Sequence, residues 1–175
     1  MNCIKKLKLI FCLFLIFSIS NLWAQHLEFE SVERTEGTAF FAIDKTSGQI
    51  SFMLDYGSEA GNWKNYGGII ERNPQGKNLT FYALKRTDGT AFFCMDGTTG
   101  QVYFMLDYGS DAGNWKSYGG TLPSSGKGYV CFQAATRTDG TAFFAMDGDT
   151  GQVYFMLDHG SNAGNWKSYG GTIPK

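Results

Sequence analysis

RTDGTAFFCMDGTTGQVYFMLDYGSDAGNWKSYGG, residues Arg86 to Gly120, decides how this chain folds, because it occurs three times. It returns at Arg137–Gly171 with four changes and stands earlier at Arg34–Gly68 with nine. Trp63, Trp115 and Trp166 mark a period of about 51 residues. Self-similarity on that scale means one supersecondary unit copied in tandem, each copy burying surface against the next.

Within the unit, short strands alternate with turn signals. Leu79–Lys85 (LTFYALK) reads as a first strand and Ala91–Met95 (AFFCM) as a second, joined by the turn residues Thr87 to Thr90 around Asp88-Gly89. Asp96–Gly100 (DGTTG) is the next turn, and Gln101–Leu106 (QVYFML) is the third strand. A polar, glycine-bearing loop, Asp107–Gly113, leads to a short fourth strand around Trp115 and Tyr118. Leu122–Gly128 connects to the next copy, as Arg72–Asn78 does in the first. No segment after the first two dozen residues has a helical period, so the fold class is all-β.

Side chains alternate between the two faces of a strand. Val102, Phe104 and Leu106 share one face, while Tyr103 and Met105 share the other. Phe93 and Met95 likewise oppose Phe92 and Cys94. Both faces are apolar, whereas a half-solvated sheet alternates apolar with polar. Sheets covered on both sides, as in propeller blades, fit this pattern. Three blades are few for a propeller, so a β-prism, a β-trefoil or a ring completed by further chains stands beside it. Matching buried sites are expected for Phe41, Phe93 and Phe144, and again for Phe52, Phe104 and Phe155.

The first copy departs from the others. Its opening strand carries Glu28, Glu30 and Glu33, Ser51 stands where the later copies have Tyr103 and Tyr154, and Lys45 stands where they have glycine. Three glutamates resist burial without partners, and charge on an edge discourages another strand from docking. Glu28–Glu33 is therefore expected at an exposed edge, with Val130–Ala135 covered by a neighbour.

The first 24 residues read as a secretory signal peptide. Lys5, Lys6 and Lys8 precede the apolar run Leu9–Ile19, and Leu22-Trp23-Ala24 offers a cleavage site before Gln25. That run is too short to span a bilayer. Residues 25–175 then form a single all-β domain of three repeats, about 27–72, 79–123 and 130–175, secreted or otherwise extracytoplasmic in the periplasm or at the cell surface. Without the three leader lysines, 12 basic residues face 16 acidic ones. The chain has no basic patch, and no nucleic-acid partner is expected. No membrane span follows the leader. Cys94 and Cys131 fall at non-equivalent repeat positions, so a disulfide framework is not part of the unit; one bond between them or two buried thiols remain open.

DGTAFFAMDGDTGQVYFM (Asp139–Met156), followed by GNWKSYGG (Gly164–Gly171), resembles the blade pattern of tectonin and tachylectin-type propeller lectins. Its D-x-x-T-G hairpin is also similar to repeats in secreted bacterial proteins of unknown function. The resemblance runs over all three copies and implies sugar or glycan-surface binding without catalysis.

The residues themselves offer a compatible set. Each copy presents an asparagine, an indole, a tyrosine and an aspartate at one loop: Asn62, Trp63, Tyr66 and Asp55; Asn114, Trp115, Tyr118 and Asp107; Asn165, Trp166, Tyr169 and Asp158. An aromatic face suits the C–H side of a sugar, while amide and carboxylate groups take its hydroxyls. A structural reading competes, with each tryptophan stapling one repeat to the next and each glycine or asparagine serving a turn. Repeated presentation would add avidity toward a glycan or cell-surface ligand, and a homo-oligomer is a further expectation. A structural or protein-interaction repeat of the cell surface or matrix is the alternative.

Asp147-Gly148-Asp149-Thr150-Gly151 has the opening of a calcium loop, but the other copies lack the second aspartate and no glutamate follows at the twelfth position. The hairpin turn accounts for it, so neither metal nor cofactor is expected. His26 and His159 do not recur, and no carboxylate pair of the kind a glycosidase needs is established. No enzyme is expected.

Overall fold

A computed structural model describes residues 27–70, 79–123, 130–170 and 172. The leader assigned to residues 1–24 and most of both connectors lie outside them. Each repeat is one antiparallel sheet of four strands in sequential order. The first sheet holds β1 (Leu27–Glu33), β2 (Thr38–Asp44), β3 (Ile50–Leu54) and β4 (Lys64–Tyr66). The second holds β5 (Leu79–Arg86), β6 (Gly89–Asp96), β7 (Gln101–Leu106) and β8 (Lys116–Tyr118). The third holds β9 (Val130–Arg137), β10 (Gly140–Asp147), β11 (Val153–Leu157) and β12 (Lys167–Tyr169). The fold is all-β, in three blade-like units. No described helix is long and apolar enough to cross a membrane.

The turns close as their chemistry requires. Arg86 pairs with Gly89 at the first hairpin, leaving Thr87-Asp88 as a two-residue tip. A Cβ on Gly89 would collide with the Asp107 carboxylate, and Gly37 and Gly140 meet Asp55 and Asp158 in the same way. At the second hairpin the Asp44, Asp96 and Asp147 carboxylates each accept backbone N–H groups two and three residues on. The calcium-like pentapeptide is thus a self-satisfied Asx turn.

The sheets stack front to back. The front of the second sheet carries Leu79, Phe81, Phe92, Cys94 and Met105, and its back carries Phe93, Met95, Val102 and Phe104. Two core clusters result among the described residues. The first joins the back of the first sheet (Val32, Phe41, Ile43, Ile50) to the front of the second. The other joins the back of the second to the front of the third (Phe132, Phe143, Ala145, Met156). β1 lies against β5 and β5 against β9, so the opening strands line one edge of the stack. The middle sheet is covered on both faces, and its strand β6 is buried from Thr90 to Asp96.

Two expectations need correction. The burial contrast between Glu28–Glu33 and Val130–Ala135 is absent: both strands alternate, and each buries one residue fully within those spans, Val32 or Phe132. Glu28 and Glu30 lie on the back of the first sheet, toward the second, while Leu27 and Phe29 are exposed on its front. Glu28 tolerates this because its carboxylate accepts the Phe81 N–H at 3.1 Å and lies 3.8 Å from Lys45. The expected matching burial of the two phenylalanine sets also fails. Phe41 and Phe93 are buried, but Phe144 is half-buried because no described sheet covers the back of the third. Phe52, Phe104 and Phe155, on the third strand of each sheet, are all half-buried. Cys94 is a buried thiol on the front of the second sheet, and Cys131 is a half-buried thiol on the back of the third.

Candidate functional site

The three loops that carry the candidate residues lead into β4, β8 and β12. Lys64–Glu59 (2.6 Å) and Lys116–Asp111 (2.7 Å) are exposed ion pairs across the first two, of a kind that contributes little. The loops meet the preceding sheet at backbone level. Gly68 N donates to Gly113 O at 2.8 Å, and Gly120 N donates to Gly164 O at 2.8 Å. A Cβ on Gly119, whose φ is +65°, would sit 2.5 Å from the Gly164 oxygen. The recurring glycine pairs are therefore joints where two backbones touch.

The tryptophans divide by position. Trp115 packs against the first core cluster and Trp166 against the second, each with its indole N–H buried without a partner. Trp63 has no described sheet before it and is 48% exposed. Asn62, Asn114 and Asn165 are all exposed.

The tyrosines follow the same division. Tyr66 Oη donates to Leu106 O at 3.4 Å and Tyr118 Oη to Leu157 O at 3.5 Å. Burial, and then the neighbouring Asp107 or Asp158, raises the pKa of each phenol. Tyr169, at the same position in the last sheet, is 61% exposed.

The aspartates serve a clamp that sequence reading missed. Asp55, Asp107 and Asp158 accept the N–H of Thr38, Thr90 and Thr141 at 2.6–2.7 Å. Across the first junction, Arg34 donates to Thr90 Oγ1 and Asp107 Oδ2, both at 2.5 Å. Across the second, Arg86 donates to Thr141 Oγ1 at 2.5 Å and lies 3.5 Å from Asp158 Oδ2. Burial works against the charged form of Asp158, but hydrogen bonds from Thr141 and His159, with the Arg86 charge, outweigh it and lower the pKa. The recurrence of Arg34, Arg86 and Arg137 was the available signal. Its meaning lies between repeats, where a reading of one unit does not reach.

Asn114 and Trp115 come together in a groove of about 500 Å³ at the first junction. Gly68, Ile69 and Ile70 of the first repeat form one side, and Tyr103, Asn114, Trp115 and Ser117 form the other. Tyr103 was not among the expected site residues, although its replacement by Ser51 in the first copy set it apart. Asp107 and Tyr118 do not line this groove: Asp107 belongs to the Arg34 clamp and Tyr118 to the second junction. The groove offers an amide, two aromatic rings and a hydroxyl, with an exposed isoleucine opposite. Among the described residues no group of His, Cys, Asp and Glu is arranged to hold a metal ion. Comparison with protein-family models, curated proteins and solved structures found no match.

Proposed function

We propose that this chain is a secreted, non-catalytic, multivalent binding module, and that its ligand is carbohydrate. The observation that carries the reading is the junction groove in which Asn114, Trp115 and Tyr103 stand together. Sugars need apolar stacking surface and fixed hydrogen-bonding groups at once, and this groove supplies both. The exposed Trp63-Asn62 pair presents the same chemistry at the first sheet. Asn165, Trp166 and Tyr154 repeat the same residue types in the third copy, and repeated presentation would add avidity on a glycan-bearing surface. Secretion rests on the leader reading of residues 1–24.

Binding of the purified protein to a glycan array tests this proposal. At least one glycan class should bind, and Asn114→Ala and Tyr103→Ser should each weaken it about tenfold or more while leaving the thermal transition in place. Serine already occupies the Tyr103 position in the first copy. No binding on the array, or binding indifferent to both substitutions, overturns the reading. A structural repeat of the cell surface or matrix is the second reading. The half-buried tryptophans and the apolar end faces favour it.

A further inference from the structure

Each junction inside the chain has two halves. The back half consists of Phe41, an arginine (Arg34) and a tyrosine (Tyr66); the front half consists of Phe92, a Thr–Asp pair (Thr90, Asp107) and a carbonyl (Leu106). The second junction repeats the set with Phe93, Arg86 and Tyr118 against Phe143, Thr141, Asp158 and Leu157. The phenylalanine rings meet edge-on at 4.8 Å in one and 4.9 Å in the other.

The two ends of the stack carry the same halves without a described sheet to receive them. The back of the third sheet holds Phe144, Arg137 and Tyr169. Phe144, Met146 and Val153 are half-buried there, whereas Phe93, Met95 and Val102 are buried in the second sheet. The front of the first sheet holds Phe40, Thr38, Asp55 and the Leu54 carbonyl, beside exposed Leu27 and Phe29. Arg137 reaches only the Asp139 of its own hairpin, at 3.7 Å, among the described residues.

From this complementarity we infer that the back of the third sheet docks on the front of the first sheet of a second copy of the chain, head to tail. Arg137 takes Thr38 and Asp55 of the next copy, Tyr169 takes the Leu54 carbonyl, and Phe144 meets Phe40. The occupant is a second copy because shape, charge and hydrogen-bonding groups all match a junction the chain already makes twice. Such an interface is heterologous: it closes into a ring or extends, according to the rotation between sheets. It stands independently of what the groove binds, and it would place Trp63 at a third junction as Trp115 is at the first.

Analytical ultracentrifugation of the purified protein over a concentration series tests the inference, alone and with two variants. Both substitutions fall on exposed side chains at the ends, Arg137→Glu on the back and Phe29→Lys on the front. The native protein should sediment as more than one chain at high concentration, and each variant alone should associate at least tenfold more weakly. Their mixture should form one-to-one heterodimers, because the back of the Phe29→Lys chain and the front of the Arg137→Glu chain are both intact. Circular dichroism melts at dilution should match the native protein for both. A native protein that stays a single chain throughout, or variants that fail to complement each other, overturns the inference.

Discussion

Phe81 and Phe29 occupy the same position in consecutive repeats, on the same face of the same strand. Phe81 is 0% exposed and Phe29 is 57% exposed. Phe93 and Phe144 differ in the same direction at the opposite end of the stack. The members of each pair keep the same register on the same strand, although Glu28 and Glu30 flank Phe29 where Thr80 and Tyr82 flank Phe81. The neighbouring sheet separates them, so burial in this molecule belongs to the junction rather than to the residue. In an array where units touch only their neighbours, stability divides into unit terms and junction terms, and among the described residues each end face lacks one junction.

The largest expected effect breaks or upholds that comparison directly. Phe92→Ala empties a fully buried site at the first junction and should cost about 3–5 kcal/mol. Phe40→Ala, the equivalent change on the front of the first sheet, which no described sheet covers, should cost less than about 1 kcal/mol in dilute protein. Urea denaturation of both measures the difference. Equal losses would mean that the first sheet is covered by something in solution.

A smaller effect separates backbone contact from backbone conformation. Gly119 and Gly170 are equivalent and share a left-handed φ, +65° and +66°. A Cβ on Gly170 meets no described atom within 4 Å, whereas on Gly119 it meets Gly164. Gly170→Ala should cost about 1–2 kcal/mol from φ alone. Gly119→Ala should cost about 1–3 kcal/mol more. Denaturation midpoints that coincide for the two variants would show that the joint yields freely.

The smallest effect concerns the acidic strand at the first junction. Burial, and then the charge of Glu28, raises the pKa of Glu30 above 4.5. The folded state therefore holds this proton more tightly than the unfolded chain. The associated stability is present below about 4.5 and is lost as pH rises through the folded value. Glu30→Gln should raise Tm by a few degrees at most near neutral pH, since solvent screens this partly exposed group, and leave it unchanged well below 4.5. Thermal melts at both conditions check the sign; destabilisation near neutrality would show that Glu30 has a favourable partner.

Much of the unit was legible in the sequence. Gln101–Leu106 is one of its strands end for end, and the turns fell where Asp-Gly and Thr-Gly stood. Those features are local, and the physics that sets them acts over a few residues. The apolar pattern on both faces implied sheets covered on both sides, and among the described residues that holds for the second sheet, not for the outer faces of the first and third. What lay between repeats was less legible. Glu28 and Glu30 face the second sheet because the strand register places them on the back of the first, and the Phe81 amide and Lys45 make this tolerable for Glu28. The Asp107 role depends on Arg34, which lies 73 residues away. The candidate set at each loop was divided among a groove, a clamp and a junction hydrogen bond, because residues adjacent in sequence point into different neighbours.

The glycine pairs that end the first two copies, touching the next loop backbone to backbone, bear on how such a chain lengthens. The contact asks for glycine where the backbones touch and for little from the side chains around it, and each copy carries in its sequence both the pair that reaches forward and the loop that receives it. Duplicating one unit of about 51 residues within the gene would therefore insert a complete joint in a single step, already fitted on both sides. The new chain would keep the old ends, and divergence could then proceed at exposed positions, as Tyr108 and His159 or Asp111 and Asn162 already show.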